Sequence, residues 1–184
     1  MRTKWIAAGL LLGWTSCASP HERQHQYDEA LEKLMSASPG RDRFYALGDA
    51  AKESFITGEI DAARDYAREL LSMAALFPDD WNYGNAVHDG HIVLGRIALK
   101  EGRMGEAVRR LIVAGKTPGS PNLETFGPNV SLAEDLLKSG ERSAVLEYLD
   151  LCRKFWENED GRLDQWKKEI LAGAIPDFGA NLVY

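Results

Sequence analysis

Leu94 to Ala114, LGRIALKEGRMGEAVRRLIVA, decides the fold of this chain. Within each half of the stretch, small and apolar residues fall three and four apart (Leu94, Ala98; Ala107, Leu111, Ala114), which is the helical period and not the alternation of a strand. Gly102 separates the halves, as a glycine does where one helix stops and the chain turns into the next. Leu132 to Cys152 carries the same pattern at a shift of 38: Leu132, Ala133, Leu136, Gly140, Val145, Leu149 and Cys152 match Leu94, Gly95, Ala98, Gly102, Ala107, Leu111 and Ala114. A weaker copy, Ala51, Gly58, Ala63 and Ala67, lies 44 residues before Gly95, Gly102, Ala107 and Leu111.

The rest of the chain reads the same way. Tyr27, Ala30, Leu31, Leu34 and Met35 form one apolar stripe, stopped at Pro39-Gly40. Phe44, Leu47, Ala51 and Phe55 form a second, Ile60 to Ala74 a third, and a fourth runs from about Asn82 to Lys100. Leu163, Trp166 and Ile170 form the last, and no segment alternates convincingly as a strand.

The repeated unit resembles the tetratricopeptide repeat, a helical hairpin in which small residues let two helices approach and glycine makes the turn. The resemblance covers Phe44 to Trp156. It implies an all-α fold: a short right-handed α-solenoid of about three such hairpins, with flanking helices over 27–37 and 163–172 as caps. Spacing is irregular, and the family's signature Trp and Tyr and the closing Pro are missing, so a generic helical bundle is the alternative. The expected organisation is a leader over 1–16, a polar linker over 17–26, the repeat domain over 27–174 and an apolar tail over 175–184.

In such repeats the first helix of each hairpin lines a concave groove. Carried over residue by residue, the resemblance places Tyr45, Lys52 and Phe55, then Asp89, Ile92, Arg96 and Leu99, then Val130, Glu134, Leu137 and Lys138 on that face. Phe55, Leu99 and Leu137 share one offset, an apolar row that needs a cover. A partner peptide is one candidate and the tail itself another, and equally the row and the tail are simply core. The set is too apolar for the Lys and Asn clamp with which some members hold a terminal carboxylate.

Ahead of this domain, Arg2 and Lys4 precede ten apolar or small residues, Trp5 to Trp14, followed by Thr15-Ser16-Cys17-Ala18. That is the layout of an export signal, too short to span about 30 Å of hydrocarbon. Cys17 after small residues resembles the lipobox of bacterial lipoproteins, which implies acylation of Cys17 and an envelope protein held to the membrane by lipid alone. Ordinary cleavage after Ala18 is the alternative. Ala18 is not the Asp that often retains such proteins in the inner membrane, and the resemblance then implies an outer-membrane destination in a two-membrane bacterium. Either outcome leaves Cys152 as the remaining cysteine, with no disulfide to form; its place in an apolar stripe reads as a small buried hydrophobe.

With 45% hydrophobic and 27% charged residues the chain is globular, and its net charge of -6 argues against nucleic acid as a partner. His21-Glu22-Arg23-Gln24-His25 spells H-E-x-x-H, but its polar setting is wrong for a catalytic zinc helix. His88 and His91, with Asp89 between them and Trp81 nearby, form the best candidate for a small site. They would need a third ligand to hold metal, so structural histidines are expected. The Pro- and Gly-rich stretch Gly115 to Asn129 is a long connection, and long connections often carry function. No nucleophile with a base and no cofactor motif can be assembled. The expectation is a non-enzymatic envelope protein that binds a protein or peptide, with no cofactor or metal; the alternative is a metal-binding protein or enzyme built on His88, Asp89 and His91.

Overall fold

The computed structural model describes residues 19–183; the leader and Cys17 lie outside the described residues. Those residues form helices throughout, with no strand among them. The order is α1 (Pro20–Ser36), α2 (Arg41–Thr57), α3 (Ile60–Ala74), α4 (Tyr83–Lys100), α5 (Met104–Gly115), α6 (Pro121–Thr125), α7 (Ser131–Lys138), α8 (Arg142–Cys152) and α9 (Arg162–Leu171), closed by a 3-10 turn over Gly179–Leu182.

Two local expectations are corrected. Most of the polar segment expected as a linker over 17–26 is the start of α1, because Ser19 and Glu22 form a reciprocal capping box with Pro20 at the first helical position. Glu22 bonds back to the Ser19 amide, and that hydrogen bond holds its carboxyl below the usual range. The long connection after α5 is also partly helical: Ser120 caps Leu123 N across α6. The short turns are as the glycines required, and Gly58, Gly102 and Gly140 all adopt positive φ.

Each helix packs on its neighbour in the chain from α1 to α5, and α7, α8 and α9 do the same. Helices that are not consecutive in the chain also meet: α2 with α4, α4 with α7, and α5 with α8. Gly95 leaves room on α4 for the Leu132 side chain of α7, which would stand 2.3 Å from a Cβ there. The core follows the chain in three clusters. Phe44, Leu47 and Leu70 centre the first, Ala51, Ala67 and Ile97 the second, and Leu111, Leu132, Tyr148, Leu149 and Trp156 the largest.

The tail folds back. Phe178 is buried edge-on to Trp166, 4.9 Å between ring centroids. Asn181 then ties the tail to the segment before α7: its side-chain amide donates to Phe126 O and Pro128 O, and its carbonyl accepts from Val130 N at 2.8 Å.

Candidate functional site

The residues expected to line a groove divide into two sets. Ile92 and Leu137 are core, 2% and 3% exposed, and Leu99 packs half-buried against the same cluster. Little of the surface of α7 is left open because it is wedged among α4, α5 and α8. Phe55 is covered by Arg96, whose guanidinium stands 4.5 Å above the ring while its Nε donates to Asp135 at 2.8 Å. Glu134 and Lys138 pair with each other at the surface, and Val130 is buried. The apolar row is therefore covered. Leu182 and Val183 of the tail lie beside Phe55, Ile92 and Arg96, leaving a residual space of about 30 Å³.

Tyr45, Lys52 and Asp89 belong instead to an open cleft of about 630 Å³ on the N-terminal side of the tail. One wall is α2 (Tyr45, Gly48, Asp49, Lys52), the floor is Asn82 with the first half of α4 (Asn85, Ala86, Asp89), and the far wall is α6 with the connection from it to α7 (Asn122, Phe126, Asn129). Val183 borders it. Trp81 and Phe126 line the cleft from different segments and are 53% and 52% exposed. Tyr45 lies 5.4 Å from Trp81 between centroids, and its hydroxyl donates to Asp80 at 2.9 Å.

Local sequence explains why the far wall stands where it does. Gly84 lets α4 meet the connection, for a Cβ there would sit 1.7 Å from Gly119 O. Thr117 Oγ1 donates to Gly84 O at 2.8 Å, and Ser120 Oγ donates to Asn85 Oδ1 at 2.6 Å. Asn85 in turn donates to Asn82 Oδ1, which orients both amides at the cleft floor.

From the wall and floor a polar chain runs into the core. Lys52 Nζ is 3.3 Å from Asp49 and 3.2 Å from Asp89. Asp89 Oδ1 faces His88 Nδ1 at 3.1 Å, and His88 Nε2 faces the Tyr148 hydroxyl at 2.9 Å; that hydroxyl also lies 3.3 Å from Asn129 O. Burial opposes both charges of the pair, yet the Lys52 charge and the His88 hydrogen bond leave Asp89 below the usual carboxylate range. Asp89 and Asp49 likewise raise Lys52 despite its burial. His88 itself is fully buried, so it braces Asp89 from behind and does not face the cleft.

His91 points elsewhere. It is partly buried, its Nδ1 stands 3.1 Å from an Arg110 nitrogen, and burial together with that guanidinium lowers its pKa to about 4. The two imidazoles thus diverge, one toward α8 and one toward α5, and do not share a ligand. His21 and His25 lie on α1 among Gln24, Asp28, Glu29 and Glu32, with His25 near Glu29 at 3.6 Å. Among the described residues no group of three His, Cys, Asp or Glu is placed to hold a metal ion. Cys152 is fully buried, and burial pushes its thiol well above the ordinary range.

No family model matches this chain, and neither a curated protein nor a solved structure does. The site rests on its own geometry. Sequence reasoning reached Trp81, Tyr45, Lys52 and Asp89, and flagged the Pro- and Gly-rich connection without assigning its residues to a wall. It did not reach Asn122 and Phe126, nor Tyr148 as the partner of His88. The pairing across 60 positions leaves no local signal, since Tyr148 occupies an ordinary position on a helical stripe.

Proposed function

We propose that this chain is a non-enzymatic binding protein of the cell envelope, a short array of tetratricopeptide-like hairpins that holds a protein or peptide partner in the cleft between α2, α4 and the α6–α7 connection. Export by the leader and lipid attachment at Cys17 would set it on a membrane surface. The hairpin reading draws support from the 38-residue correspondence and from the contacts of α2 with α4 and of α4 with α7.

The observation that carries the binding reading is the cleft itself. It has the volume of a ligand site, two aromatic side chains held more than half exposed, and amides fixed by hydrogen bonds at its floor. The polar groups that run from it into the core are engaged with one another, so they fix the wall and are not poised as a nucleophile and base. Affinity capture from the envelope with the wild type and with a Trp81→Ala, Phe126→Ala double variant tests this. Partners recovered by the wild type are expected to disappear from the variant; an unchanged set would overturn the assignment.

A further inference from the structure

We propose that the segment held in the cleft is an uncharged, proline-rich stretch in the polyproline II conformation. This rests on the reading of the cleft as the partner's contact surface and names what that surface selects. Four observations lead there.

The charges are already balanced. The cleft is lined by two cations, Lys33 and Lys52, and two anions, Asp49 and Asp89, and they pair among themselves: Lys33 with Asp49, and Lys52 with both Asp49 and Asp89. At the lip, Arg41 lies 3.4 Å from Asp80. Of these pairs Lys52 and Asp89 are largely shielded from solvent, so a charged ligand held there would disrupt their pairing, whereas a neutral one leaves it intact.

The walls are helices and the connection between two of them, with no strand among the described residues. An extended peptide adding to a sheet edge is held by a ladder of main-chain hydrogen bonds, and the helical walls offer no such edge because their amides and carbonyls are paired within the helix. Polyproline II needs neither a ladder nor internal bonds, and proline has no N–H to leave unpaired.

The side chains present match that backbone. Tyr45 and Trp81 stand as neighbouring rings at 41°, and Phe126 comes from the opposite segment. Aromatic-lined grooves grip proline rings in this way. Donors accompany them: Asn82 uses its Oδ1 to accept from Asn85, which leaves its NH₂ for a ligand carbonyl, and Asn122 is exposed on the far wall. Finally, Val183 of the tail borders both this cleft and the small space beside Phe55, and a short segment is the occupant proposed. Four to five residues in this conformation span about 12–16 Å.

Calorimetric titration of the full-length chain in detergent with acetyl-hexaproline amide tests the inference, with a Gly-Ser hexapeptide and the neutral sugar maltotriose as comparisons. Saturable binding of hexaproline is expected, weakened about tenfold or more by Trp81→Ala and by Phe126→Ala, with neither comparison binding. Thermal melting of each variant is expected to remain a single cooperative transition, so that lost binding is not lost folding. No hexaproline binding, binding indifferent to both substitutions, or maltotriose binding in its place would overturn the inference. If hexaproline fails while envelope partners still depend on Trp81 and Phe126, the binding reading stands and the polyproline inference alone falls.

Discussion

His88 Nε2 and the Tyr148 hydroxyl lie 2.9 Å apart in a fully buried contact that joins α4 to α8. The Tyr148 hydroxyl is the hydrogen-bond partner of His88 Nε2 and also donates to Asn129 O at 3.3 Å, while Asp89 accepts from His88 Nδ1. Tyr148→Phe keeps the ring and removes the partner. Leaving that nitrogen unpaired should cost about 1–3 kcal/mol, read by urea denaturation as a lower midpoint with an unchanged slope.

Lys52 and Asp89 are one electrostatic unit, with side chains 21% and 18% exposed. Lys52→Met would leave the Asp89 carboxylate without its main counter-charge. A loss of about 2–3 kcal/mol is expected, below the 3–5 typical of a completely buried pair because some solvent reaches both groups. The Lys52→Met, Asp89→Asn double variant should recover a large part of it. A double variant whose loss equals the sum of the single losses would show that the pair is not coupled.

His91 should make the fold acid-sensitive before the carboxylates do. Burial and Arg110 hold its folded pKa at about 4, against an ordinary 6.5, so between those values the unfolded chain takes up the proton and the folded chain does not. Its contribution is present in full above about pH 6.5 and is lost as pH falls toward 4. His91→Gln, followed by denaturation at several pH values, should flatten stability across that window. Asp89 is depressed as well, and its share is lost only at lower pH, as its carboxyl protonates.

Gly84→Ala should disturb the cleft more than the helix carrying it. Alanine favours α4 intrinsically, but its methyl would collide with Gly119 O, a backbone atom that cannot rotate away. A net loss of about 1–3 kcal/mol is expected, with amide resonances of residues 117–129 shifted and those of α1 unmoved.

The helices were legible because their cause is local. Spacing of three and four marks the buried stripes, and Gly58, Gly102 and Gly140 mark the turns. The start of α1 was missed because Pro20 to Gln26 has almost no apolar face, although the Ser19 and Glu22 capping signature was present. The cleft was half legible. Trp81 and Asp89 stood out in a segment richer in aromatic and polar side chains than a scaffold needs. Phe126 did not, because its exposure depends on how Gly84 and Thr117 seat the connection and how Asn181 of the tail fastens it. Leu137 stayed open between groove and core because a helical stripe looks the same whether it faces a core or a channel. Only the packing of α4, α5 and α8 around it settles which.

The central claim is that a partner sits between Trp81 and Phe126. Photo-crosslinking in intact cells addresses it most directly, with benzoylphenylalanine placed at Asn122 on the far wall of the cleft and, separately, at the exposed Ser72 on α3. The account predicts a discrete cross-linked species from position 122 that is lost with Trp81→Ala, and none from position 72. Equal cross-linking from both positions, or a species at 122 indifferent to Trp81, would contradict it.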